Sequence, residues 1–209
     1  MNPPTNRRSF LQTTAAAAST LILPSGLLRS QTTGKLKIGF IGMGGQIQGH
    51  VSKIVQLGHN VGALCDVDAA QIENSKKRHG AGVADAAVYS DYRVLLEKEK
   101  SLDAIVIATP DHWHAPICRA VMQAGKHVYC EKPLTHTIAE ARELREMSRT
   151  TKVITQTGNQ GSASPNLRRS MELIAAGFFG AISDIHVWHP THSWPSGEER
   201  PAGSDPIPT

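Results

Sequence analysis

Apolar residues fall along this chain in short continuous runs, separated by longer stretches where they return every third or fourth position. Continuous runs cover residues 37–41, 61–65, 104–108 and 127–130. Runs of this kind mark parallel strands buried on both faces. Shorter runs over 84–89 and 152–155 predict a third and a sixth strand. The stretches between predict helices over 46–57, from a cap at Asp68 to about His79, from Ser90-Asp91 through Leu96, over 116–124, and over 137–149. The last sets Ile138, Ala141, Leu144 and Met147 along one side. Strand and helix alternating in this way predict an α/β fold, a doubly wound parallel sheet of Rossmann type with strand order 3-2-1-4-5-6. Further on, 156–161 reads as a loop, 166–176 as a helix, Gly177 and Gly180 as a turn, and 182–188 as a strand opening an α+β second domain. The expected division is a leader over 1–33, the sheet domain over 34–157, and the start of an incomplete second domain over 158–209. The chain is expected to stop in the Pro-rich connection after Trp194.

The ends of the predicted strands carry the chemistry. The first closes on Ile41-Gly42-Met43-Gly44-Gly45, a helix follows, and the second closes on Asp66. Strand, glycine turn, helix, strand and acid is the order of a dinucleotide-binding unit. Gly42 lets the chain turn tightly, and Gly44 lets the backbone approach a pyrophosphate. The helix start offers that anion free N–H groups and partial positive charge. Asp66, 24 residues after Gly42, can accept hydrogen bonds from both ribose hydroxyls. Ile47 stands at the third glycine position, which implies a slightly wider contact between helix and strand. Two further strand ends carry Thr109-Pro110-Asp111-His112-Trp113-His114 and Glu131-Lys132-Pro133. Ligands of such sheets sit at these carboxyl ends. Pro133 keeps Lys132 extended at the strand mouth, where a lysine near a positive nicotinamide can serve in proton transfer.

Charge and composition change little. The net charge is +4, but Arg7, Arg8 and Arg29 lie in a leader without acids, leaving 19 basic against 18 acidic residues in the remainder. The basic balance is therefore no argument for nucleic acid binding. A hydrophobic share of 40% fits an ordinary globular domain. Cys65, Cys118 and Cys130 are odd in number and form no CxxC, so buried free thiols are expected. His112 and His114, and His186, His189 and His192, match no zinc spacing, and no metal is expected. In the leader, Asn6-Arg7-Arg8-Ser9-Phe10-Leu11-Gln12 resembles a twin-arginine export motif, followed by an alanine-rich apolar stretch interrupted by Pro24 and Gly26. Export by that machinery, to the periplasm or beyond, is expected. No clean cleavage site is evident.

Taken together, Ile41-Gly42-Met43-Gly44-Gly45, Cys65-Asp66-Val67-Asp68, Ala108 through His114, Glu131-Lys132-Pro133 and Gln156-Thr157-Gly158-Asn159-Gln160 resemble the Gfo/Idh/MocA oxidoreductases. The resemblance runs from about Leu36 onward, with Glu131-Lys132-Pro133 its most specific part. It implies hydride transfer between NAD, or NADP, and a sugar, polyol or related carbohydrate. Asp66 favours NAD, because a carboxylate repels a 2′-phosphate. The implied cofactor contacts are Gly42, Met43, Gly44, Gln46, Ile47, Asp66, Thr109, Pro110, His114 and Glu131. Lys132 is the implied catalytic residue, and Asn159 and Trp113 the implied substrate contacts. The family's second domain supplies substrate contacts, catalytic partners and subunit contacts, and a homo-oligomer is expected of the whole protein. An NAD-dependent glycoside hydrolase of the same superfamily is the alternative; such relatives tend to lack the lysine found here as Lys132. A catalytically silent nucleotide-binding fragment is the third reading.

Overall fold

The computed structural model describes residues 34–188. The leader over 1–33 and the tail with His189, His192 and Trp194 lie outside the described residues. From Leu36 the chain builds one sheet of six parallel strands: β1 (Lys37–Ile41), β2 (Asn60–Cys65), β3 (Ala87–Tyr89), β4 (Ala104–Ile107), β5 (His127–Glu131) and β6 (Thr155–Gly158). Their order is β3-β2-β1-β4-β5-β6, as the alternating pattern predicts. Helices α1 (Ile47–Gln56), α2 (Ala69–His79), α3 (Tyr92–Lys98), α4 (His114–Gln123) and α5 (Ile138–Thr151) connect them, and α6 (Pro165–Ala175) follows β6.

Two apolar clusters cover the two faces of the sheet. Phe40, Ile47, Val51, Leu64 and Ile72 pack α1 and α2 onto one face. Ile105, Ile107, Leu95, Ile117, Val121, Val128 and Leu144 pack α3, α4 and α5 onto the other. The central strands are therefore apolar on both sides, which is why they read as unbroken runs. Local signals start the helices. Asp68 and Asp91 accept from the N–H groups of Ala70 and Arg93 at 2.9 and 2.8 Å. Thr137 and Glu140 form a capping box on α5, and Ser164 caps α6 ahead of Pro165. Cys65, Cys118 and Cys130 are buried and free. Burial, and then the charges of Asp66 and Asp91, push the Cys65 thiol up to about 12.

Several expectations need correction. The sixth strand is 155–158 rather than 152–155, so three residues expected in a loop are paired with β5, Glu131 opposite Gly158. The cause lies in α5, which runs on to Thr151 and ends on Lys152 with φ 57°. That left-handed residue turns the chain, and Val153 and Ile154 form the connection. Helix α4 begins at His114, not Pro116. Pro116 sits in the first turn, where backbone N–H groups have no intrahelical partner to lose. On α5, Leu144 is buried, but Ile138 is 73% exposed and is not part of the packed stripe. Residues 182–188 form no strand; among the described residues they have no neighbouring ladder, and an extended segment without one gains no pairing. Leu167, Met171, Ile174 and Phe178 leave an apolar stripe of α6 and its end exposed.

Candidate functional site

The strand order reverses between β1 and β4, and there the connections from the two strands run in opposite directions. That divergence opens a crevice at the carboxyl ends. A cleft of about 320 Å³ lies there, lined by Gly42, Asp66, Arg93, Thr109, Pro110 and Trp113 among others.

Gly42 forms the turn out of β1. Its φ is +85°, and a Cβ on it would lie 2.7 Å from the backbone carbon and oxygen of Ala108. Both conditions require glycine. Its N–H donates to the Cys65 carbonyl at 2.9 Å, closing the turn against β2. Gly44 and Gly45 face open space instead. No side chain caps α1 or α4, unlike α2, α3, α5 and α6. An open backbone cradle thus faces an uncapped helix start, the arrangement that receives a phosphate.

The peptide between the glycines is held at both ends. The Met43 N–H donates to Asp66 Oδ2 at 2.5 Å, and Asp66 Oδ1 accepts from the Asp68 N–H at 2.9 Å. The Met43 carbonyl accepts from Gln48 Nε2 at 2.6 Å, and Gln48 Oε1 lies 2.8 Å from His79 Nε2. Asp66 therefore shapes the glycine loop as well as lining the cleft. Burial, with the neighbouring Arg78 charge second, holds His79 below the ordinary imidazole range. The folded state thus favours neutral His79, and stability falls as pH drops from the ordinary value through the depressed one. Expected is a loss of thermal stability as pH falls below about 6.5 that is smaller in His79→Gln, measured as the parent-minus-variant difference in Tm with falling pH.

Sequence-predicted site residues divide into three groups. Gly42, Asp66, Thr109, Pro110 and Trp113 line the cleft together. The Thr109 hydroxyl is buried with no hydrogen-bond partner among the described residues. Gly44 and Gln46 stand at the open helix start. Met43, Ile47 and His114 turn their side chains inward. Met43 and Ile47 are fully buried in the α1 core, and the Met43 N–H and carbonyl are already engaged by Asp66 and Gln48. Ile47, at the third glycine position, packs into that core. His114 Nδ1 lies 2.6 Å from the Pro133 carbonyl and Nε2 lies 2.9 Å from the Thr109 carbonyl. It ties the β4 and β5 loops together, and its ring nitrogens are already engaged.

Lys132 stands exposed beyond the end of β5, and Asn159 is exposed just past β6. Trp113 is apart from them, edge-on to Tyr92 at 6.5 Å on the cleft wall with Asp66. Glu131 is 4% exposed and hydrogen-bonds to His50 and Gln160. Sequence reading missed His50, Gln48, His79 and Gln160, as well as Tyr92 and Arg93 of the cleft wall. One signal was present: His50 interrupts the apolar stripe Ile47, Val51, Ile54 on α1, and a polar residue on a packed face needs a partner.

Comparison with known proteins agrees with this geometry. Residues 36–159 match the family model for Gfo/Idh/MocA proteins, described as an oxidoreductase family with an NAD-binding Rossmann fold. The chain is similar to myo-inositol 2-dehydrogenase from Lactobacillus plantarum, with a TM-score of 0.64 and 27% identity over 71% of this chain and 43% of that one. It is also similar to an NAD binding oxidoreductase from Klebsiella pneumoniae, with a TM-score of 0.59 and 31% identity over 70% of this chain and 40% of that one. Among curated relatives, a glycosyl hydrolase family 109 protein of Shewanella pealeana is 33% identical over 115 residues, 52% of this chain and 25% of the relative. The chain therefore spans about a quarter of the length of that relative.

Proposed function

This chain belongs to the Gfo/Idh/MocA oxidoreductase family, with its NAD-binding Rossmann fold, and we propose that it is the nucleotide-binding part of an enzyme that moves a hydride between NAD and a sugar, polyol or related carbohydrate. The observation that carries the reading is the convergence of the β1, β2 and β4 ends on one crevice, with Asp66 locked to the glycine loop. The residues fit the cofactor: the open cradle at Gly44 and Gly45 and the uncapped α1 face open space rather than protein, and Thr109 lines the cleft beside them. Gly44 and the start of α1 hold the pyrophosphate. Asp66 accepts from the adenosine ribose and disfavours a 2′-phosphate. Thr109, Pro110 and Trp113 wall the adenosine half, which moves Trp113 from a substrate role to a cofactor role. NAD supplies the hydride acceptor. Lys132 holds or moves the proton of the reacting hydroxyl, with Asn159 nearby in the fold order as a substrate contact. Residues from 158 onward begin a domain for substrate and subunit contacts, and the Arg7-Arg8 motif directs twin-arginine export.

The similarity to a glycosyl hydrolase family 109 protein favours a second reading, a glycoside hydrolase in which NAD is reduced and reoxidised within each turnover. Lys132 argues for the first. The test is to titrate the purified protein with NAD and NADP, then supply sugars, polyols and aryl glycosides. Net NADH formation with a sugar or polyol supports the oxidoreductase. Steady aryl glycoside hydrolysis without net NADH replaces it with the hydrolase, and NAD binding with neither activity leaves a silent nucleotide-binding module. In an active protein, Lys132→Ala is expected to leave NAD affinity nearly unchanged and to lower turnover by about 10²–10⁴-fold.

A further inference from the structure

Behind the Lys132 strand mouth lies a polar cluster that the cofactor contacts do not use. Glu131 Oε1 lies 2.6 Å from His50 Nε2 of α1 and accepts from the amide of Gln160, in the turn after β6. The Gln160 amide is also 3.5 Å from both His50 Nε2 and the Tyr129 hydroxyl. The His50 and Tyr129 rings pack at 4.9 Å. Glu131 Oε2 is buried with no hydrogen-bond partner among the described residues. The carboxyl lies directly on the backbone of Gly158, where a Cβ would come within 2.6–3.0 Å of its atoms. Glu131 is thus enclosed by protein, with Oε1 engaged by His50 and Gln160 and Oε2 set against the Gly158 backbone.

The cluster joins three pieces of chain far apart in sequence: the first turn of α1, the end of β5 and the segment after β6. With the adenosine half at Asp66, a dinucleotide crossing the β1–β4 crevice places its nicotinamide over β4 and β5. Of the three pieces, the end of β5 and the segment after β6 lie on that side of the sheet. Their relative positions decide where Lys132 and Asn159 stand, and a small displacement there is costly to a reacting geometry.

We propose that Glu131 is a positioning residue which, through His50 and Gln160, fixes the nicotinamide end of the site and touches no part of the cofactor. The proposal rests on the dinucleotide reading above and assigns Glu131 a different role from a direct cofactor contact.

The test separates the two ends of the ligand in the full chain. ADP-ribose affinity, by calorimetry, reports the adenosine and pyrophosphate half. The emission of bound NADH reports how the nicotinamide is held. The variants are His50→Leu and Gln160→Ala, each removing one donor to Glu131, and His50→Gln, which keeps an N–H. In the parent, NADH emission is expected to rise on binding. His50→Leu and Gln160→Ala are expected to lose about half or more of that rise while ADP-ribose affinity stays within about twofold, because only one end of the site loses its support. His50→Gln recovers most of it. Unchanged emission in both variants, a parallel fall in ADP-ribose affinity, or a parent that binds NADH without a rise overturns the proposal. Gln160 is exposed and outside the core, so its variant keeps the test valid if a His50 variant misfolds. A parent that binds neither ADP-ribose nor NADH overturns the dinucleotide reading itself.

Discussion

Gly42→Ala is expected to abolish NAD binding and to destabilise the domain together. The positive φ alone costs a residue with a Cβ about 1–2 kcal/mol. The larger part is steric. The new methyl would stand 2.7 Å from the Ala108 carbonyl, and both partners are backbone immediately past the ends of adjacent strands, tied there by hydrogen bonds to Cys65 and Ile41, so neither can yield without moving β1 from β4. We expect a total of about 3–5 kcal/mol, a large share of the roughly 5–15 kcal/mol that holds a typical domain. NAD affinity falls by about a hundredfold or more, because the displaced turn carries the whole cradle. Gly44→Ala is the control. A Cβ there meets no atom within 4 Å, so thermal stability should hardly change while NAD binding is lost to the methyl that now occupies the cradle. Thermal unfolding and calorimetry on the pair check both halves. If Gly44→Ala binds NAD as the parent does, the pyrophosphate does not lie there.

Asp66→Ala carries the second large effect, and it acts on binding and shape at once. The carboxylate accepts from the N–H groups of Met43 and Asp68. Removing it leaves a buried Met43 N–H without its acceptor, a loss of about 1–3 kcal/mol. It also removes the acceptor for the ribose hydroxyls, so NAD affinity is expected to fall by at least about a hundredfold, counting about 1.5–3 kcal/mol per hydrogen bond to a charged group. NADP loses less, because the repulsion of its 2′-phosphate goes with the charge. The ratio of NAD to NADP affinity therefore moves toward one. Calorimetric titration of both cofactors against parent and variant measures it, and an unchanged ratio would place the ribose elsewhere.

Much of the fold was legible because the central strands are buried on both faces and therefore read as unbroken apolar runs. Order and direction followed from the alternation of strands and helices. The edge escaped. Thr155-Gln156-Thr157-Gly158 is polar because an edge strand is only half covered, while Val153 and Ile154 drew the eye and lie in the connection. The left-handed Lys152 that shifts the register has no signature of its own in an ordinary lysine. At the site, the glycines and Asp66 announced themselves through fixed spacing. Which way Met43, Ile47 and His114 turn could not be read, since a residue beside a motif can serve the ligand or the core with equal ease. His50 and Gln160 stand 81 and 29 positions from Glu131, and no local pattern joins them.

The three buried thiols have a practical meaning. Cys65 lies on β2, Cys130 on β5 and Cys118 on α4, with at most 2% of any of them exposed. A thiol-specific alkylating reagent needs the thiolate; burial raises the Cys65 thiol, and the hydrogen bond with Cys118, then burial, raises the Cys130 thiol. Reagent therefore reaches them through molecules whose sheet has opened. The protein carries its own clock for that opening: incorporation of label with time, with and without NAD, gives the rate at which the sheet comes apart and the degree to which a bound nucleotide keeps it shut.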